Sequence, residues 1–114
     1  MFYRRKYYLV EPSIVESFNE HFNKTNLPQQ LKNGSRLVGR WMKEREEGVE
    51  IFAIWEYDSY EDYVRIEKGI RNDRKHVERV KAWYDKHGGR EEVLTKYIIE
   101  VKDEEISSTL IGKP

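Results

Sequence analysis

The chain of 114 residues contains no cysteine. That absence removes disulfides, thiolate zinc sites, iron–sulfur clusters and thiol nucleophiles together, and it suits a reducing compartment such as the cytoplasm. Long apolar runs are missing as well. The longest, Ile51 to Trp55, is far short of the roughly 20 residues needed to cross a bilayer. No apolar block follows the basic Arg4-Arg5-Lys6, so the sequence predicts neither a signal peptide nor a membrane span. A surplus of either charge is also lacking, with 21 Lys plus Arg against 21 Asp plus Glu. Non-specific nucleic-acid binding rests on unmatched basic residues, so DNA and RNA are not expected partners. Arg71, Arg74, Lys75 and Arg79 are interleaved with Asp73 and Glu78 and read as a solvated helix face. Phosphate loop, nucleophile elbow and dinucleotide glycine pattern are all absent. His21, His76 and His87 include no pair at i and i+4, so no metal site is predicted and no catalytic residue is assigned.

What is present reads as one globular domain. Leu, Ile, Val and Phe number 28 of 114, enough to build a core. Residues 2 to 10 are aromatic and β-branched and run towards Pro12, which predicts a first strand. Ser13 and Glu16 form a capping pattern ahead of Ile14, Phe18 and Phe22, which predicts a helix that Pro28 ends or kinks near Asn26. Asn33-Gly34 supplies its exit. Residues 36 to 46 and 49 to 57 flank Glu47-Gly48 as a hairpin. Asp58 and Ser59 cap a second helical region, which Asn72-Asp73 restarts or bends and Gly88-Gly89 closes. Residues 95 to 101 form the last strand.

The order strand, helix, strand, strand, helix, strand predicts an α+β, ferredoxin-like βαββαβ domain over residues 1–102, with both helices on one face of an antiparallel sheet. Residues 103–114 read as a C-terminal tail. The strands do not alternate cleanly: Ile51 to Trp55, Tyr97-Ile98-Ile99 and Tyr7 to Val10 are apolar at both parities. Two-sided burial follows, and a homodimer packed sheet to sheet is its simplest source. The alternative is that Ile106, Leu110 and Ile111 of the tail fold over the bare face.

Arg5 and Arg40 fall inside predicted strands, where a buried guanidinium needs an acceptor such as a ligand's carboxylate or carbonyl, or an ion pair with Glu50 or Glu56. His76 lies with Arg79, Val80 and Trp83 along one side of its helix. His21 reads as a helix-flank residue and His87 as a C-terminal cap. A pocket lined by Arg5, Tyr7, Arg40, Trp55 and His76 is the expected small-molecule site.

Three segments carry a family resemblance. Arg5-Lys6-Tyr7-Tyr8-Leu9 ahead of Pro12, Leu37-Val38-Gly39-Arg40-Trp41, and Ile54-Trp55-Glu56-Tyr57-Asp58-Ser59 resemble the Arg-x-Tyr-x-Leu, Gly-x-Trp and Trp-x-Tyr strands of the NIPSNAP family over about residues 3 to 101. The chain departs from that family where an aspartate-proline-aromatic segment is usual and Asp73-Arg74-Lys75-His76 stands instead. The resemblance implies a dimeric α/β barrel, in which two ferredoxin-like subunits pair their sheets. It brings no agreed catalytic residues and no required cofactor. The same superfamily includes cofactor-independent and haem-degrading monooxygenases, the latter with an Asn on strand one, a Trp, and a His on helix two. Trp55 or Trp83 and His76 match two of those three, so haem is implied only under that alternative.

Overall fold

The computed structural model describes residues 1–112. Four strands, β1 (Phe2–Val10), β2 (Arg36–Arg45), β3 (Gly48–Tyr57) and β4 (Ile98–Ile106), form one antiparallel sheet in the order β2-β3-β1-β4. This is the predicted ferredoxin-like order, in which the two central strands, β3 and β1, each open one strand–helix–strand unit. Helices α1 (Val15–His21), α2 (Leu27–Asn33), α3 (Tyr60–Arg71), α4 (Arg74–Lys86) and α5 (Arg90–Lys96) complete the fold. Among the described residues no helix is long and apolar enough to cross a membrane.

Local chemistry explains most boundaries. Ser59 caps α3 by accepting from the Asp62 amide at 3.1 Å, and Asp73 restarts the chain into α4 by accepting from the His76 amide at 3.2 Å. Gly34 leaves α2 at φ 108°, a conformation that a Cβ would strain. The first helical region starts differently from expectation. Glu11, and not Ser13, accepts from the Ser13 amide at 3.0 Å, and a 3-10 turn over Pro12–Ile14 precedes α1. Pro28 does not end the helix: a π segment over Phe22–Asn26 leads into α2, so the irregularity expected near Asn26 is a change of winding just before Pro28. After Gly88-Gly89 the chain makes the unpredicted α5 before the last strand. That strand runs Ile98–Ile106, so the expected tail boundary at 103 falls inside β4. Leu110 and Ile111 are exposed and do not cover the sheet.

Register decides which side chains face the helices. Phe2, Arg4, Lys6, Tyr8 and Val10 of β1 pair with Tyr57, Trp55, Ala53, Ile51 and Val49 of β3. The β3 members of these pairs are all buried in the core. One core cluster holds Phe2, Ala53, Trp55, Tyr57, Ile66 and Ile70, and a second holds Val10, Ile14, Val49 and Ile51. On β2 the register shifts between Leu37 and Gly39. This bulge leaves exposed Val38 unpaired and changes which alternate residues face inward. Arg40 consequently pairs with Ala53 on the helix side, and Trp41 pairs with Phe52 on the open side.

Candidate functional site

Between the sheet and the helices lies a cavity of about 430 Å³, within the size range of small-molecule sites. Its floor is one row across the sheet. Arg40 of β2 and Lys6 of β1 both pair with Ala53 of β3, so a methyl group lies between two cationic side chains. Trp55 and Ile51 flank Ala53 along β3. The helices contribute Phe18, His21 and Phe22 from the first helical region, Glu67, Ile70 and Arg71 from α3, His76, Val80, Trp83 and Tyr84 from α4, and Arg90 from α5.

Arg40 is the distinctive group. Its guanidinium carbon stands 4.1 Å from the Phe22 ring centroid, and its Nη1 donates to Asn19 Oδ1 at 2.8 Å. No carboxylate lies within ion-pair distance of it among the described residues, and burial pushes its pKa down to about 10. Neither Glu50 nor Glu56 neutralises it. Arg45 engages Glu50 at 3.7 Å, and Arg36 engages Glu56 at 2.7 Å. A guanidinium has five N–H donors in a planar fork, and the chain satisfies Arg40 with one side-chain acceptor. Lys6 is better matched, with Asp103 Oδ2 at 3.7 Å.

His21 and His76 share the cavity wall. His21 is buried, and its ring stacks on Trp83 at 4.6 Å with an interplanar angle of 11°. Burial pushes its imidazole down to about 4, with His76 and His87 adding to the shift. His76 is lowered too, again chiefly by burial. Behind them, Trp83 Nε1 donates to Ser17 Oγ at 3.0 Å, and Ser17 Oγ lies 2.8 Å from His87 Nε2, which fixes the indole from outside the cavity.

The cavity brings together three of the five expected residues, Arg40, Trp55 and His76. Arg5 and Tyr7 are not in it. They belong to the opposite parity of β1 and lie on the open sheet face, paired with Ile54 and Phe52. There Arg5 bonds Glu104 at 3.0 Å and lies over the Tyr7 ring at 4.8 Å, while Arg45 Nη1 donates to Tyr7 Oη at 3.1 Å. Their neighbours Lys6 and Tyr8 take the expected place. Sequence reasoning also missed His21, whose position three residues after Phe18 and one before Phe22 places it on the buried helical face. The haem-degrading pattern is incomplete: the inner row of β1 offers Lys6 and Tyr8 and no Asn. Two of that pattern's three features, a Trp and His76, are present in the cavity. Among the described residues no group of three or more His, Asp or Glu could hold a metal ion.

The open face has its own organisation. Trp41 packs against Phe52 at 5.6 Å and lies over Gly39, where an added Cβ would come within 2.3 Å of the indole. The Gly-x-Trp spacing thus lets an indole lie flat across its own strand.

Comparison with known proteins agrees with this architecture. A NIPSNAP-like domain protein from Burkholderia xenovorans is 15% identical, with 99% of this chain and 89% of that one covered at a TM-score of 0.73. A NIPSNAP family protein from Agrobacterium tumefaciens is 12% identical, with 95% and 85% covered and a TM-score of 0.72. A dimeric ferredoxin-like protein from an uncultured marine organism is 17% identical, with 98% and 92% covered and a TM-score of 0.53. At such identities the likeness shows the fold alone. No curated protein matches the chain. The NIPSNAP family model matches residues 3–87, three quarters of the sequence, and on that match the chain belongs to the NIPSNAP family.

Proposed function

We propose that this protein is a homodimer whose subunits each bind a small molecule in the cavity between sheet and helices. The observation that carries the reading is Arg40, a half-buried guanidinium without a carboxylate, lining a cavity of about 430 Å³. A fold retains an uncompensated buried charge at a cost to stability, and a ligand acceptor offsets that cost when it binds.

The dimer reading is supported by the open sheet face. Trp41 is 49% exposed and Val38 56%, with Phe52 and Ile54 half-buried beside them. A second copy would bury this surface through a twofold contact. The marine ferredoxin-like protein of similar fold is itself dimeric. A monooxygenase reading has His76 and Trp83 in its favour and lacks the strand-one asparagine.

Native mass spectrometry of gently purified protein tests the main reading in one spectrum. A dimer retaining a small-molecule mass, lost in Arg40→Gln, is expected. A monomer, or a retained mass indifferent to Arg40, refutes it. Ile54→Lys, which places a charge at the centre of the open face, is expected to give monomers. Hemin titration separates the alternative, since the monooxygenase reading requires a Soret band that His76→Ala abolishes.

A further inference from the structure

We infer that the cavity selects a compact aromatic carboxylate, whose carboxylate pairs with Arg40 and whose ring lies across Ala53. This rests on the cavity being a ligand site and goes further by naming what it takes.

The charge balance of the inner sheet face sets the ligand's charge. Arg4 and Lys6 both reach Asp103, at 2.7 and 3.7 Å, and Glu67 adds a second negative charge to the field at Lys6. Two cations therefore meet two anions. Arg40, on the far side of Ala53, has only the neutral Asn19 amide. Arg71 and Arg90 line the cavity as well, so its cations outnumber its acids and it favours an anion. A planar fork recognises a planar carboxylate through two parallel hydrogen bonds, and Asn19 leaves donors free to make them.

The shape of the floor sets the ligand's body. Adjacent strands stand roughly 4.8 Å apart, so the backbones of Arg40 and Lys6 are roughly 10 Å apart with Ala53 midway. Any larger side chain at 53 would occupy the space between them. Phe22 stacks against the Arg40 guanidinium at 4.1 Å, and Trp55 and Trp83 continue the aromatic wall. A ring conjugated to its carboxylate extends in the plane of the fork, over the methyl of Ala53. Aliphatic chains would forgo that aromatic wall.

The test uses 2-naphthoate and its neutral near-isostere 2-naphthamide, titrated calorimetrically into the full-length protein. Naphthoate is expected to bind at least about tenfold more tightly, in line with a charge-assisted hydrogen bond. Arg40→Gln should abolish the preference while leaving naphthamide binding unchanged. Ala53→Val should weaken both compounds with the circular dichroism spectrum intact. Equal affinities in the unmodified protein, or a preference that survives in Arg40→Gln, overturn the assignment of class while leaving the cavity reading standing. Failure of both compounds to bind also overturns the class. If native mass spectrometry then finds no retained mass, the cavity reading fails with it.

Discussion

Replacing His21 with phenylalanine should make the protein's stability much less sensitive to acid. The imidazole is 9% exposed and stacked on Trp83 at 4.6 Å, a place that a phenyl ring can fill. In the folded chain its pKa is about 4, whereas an unfolded histidine titrates near 6.5. Above pH 6.5 both states are neutral and the histidine costs nothing. As pH falls below 6.5 the unfolded chain takes up a proton that the folded chain does not, so stability declines until pH reaches about 4. The slope approaches about 1.4 kcal/mol per pH unit, and the interval down to pH 4.5 gives a loss of about 2.5 kcal/mol attributable to this one group. Urea denaturation at pH 7 and pH 4.5, with both proteins at the same concentration, reads the difference directly. With an m-value of about 1–3 kcal/mol per molar, the midpoint of the parent should fall by on the order of 1 M more than that of His21→Phe. His76 and the carboxylates titrate in both proteins and cancel to first order. Parallel loss of stability in the two would refute the argument, because it would mean that the His21 imidazole protonates freely in the fold.

Gly39→Ala should displace the Trp41 indole, whose ring the new Cβ would meet at 2.3 Å. Subunit affinity measured by analytical ultracentrifugation is expected to fall while the melting temperature of the fold changes little. Arg40→Met should leave the ligand-free protein as stable as the parent or more so, since an apolar side chain removes a half-buried charge without a carboxylate partner; a loss above about 1 kcal/mol by chemical denaturation would contradict that reading of the charge. Trp83→Phe removes the 3.0 Å bond to Ser17 and should cost about 1 kcal/mol, read from thermal melts. Because the indole also stacks on His21, the same variant should lose part of the acid sensitivity described above.

The fold was legible because its signals are redundant. Each predicted strand carried aromatic and β-branched residues, the hairpin had its Gly48, and Ser59, Asp73 and Gly34 marked helix ends that the structure keeps. The cavity was half legible, and for one reason. Along β1 the two parities read Arg4, Lys6, Tyr8 and Arg5, Tyr7, Leu9, each a mixture of cation and large side chain. Hydrophobic alternation therefore could not say which set faces the helices. Choosing Arg5 and Tyr7 selected the wrong side of the sheet, whereas Trp55 and His76 were placed by strand end and helix face. Arg40 was chosen for its charge; that it points inward depends on a bulge that no residue type announces. The segment after Gly89 was misread because Arg90–Lys96 is a single short helix between a glycine pair and a strand, too brief to show a period.

The bulge at Val38 makes the contents of the cavity depend on how β2 is paired as much as on which residues it carries. Were β2 to pair regularly past Leu37, Val38 would fall opposite Ile54 and Gly-Arg-Trp would exchange sides: the indole would enter the cavity and the guanidinium would move to the open sheet face. A relative could then keep every motif and bind a different class of molecule. Relatives of this chain should accordingly be sorted by the pairing register of β2 beyond Leu37 before they are sorted by identity, because a shift of one residue there reverses the face of every side chain that follows.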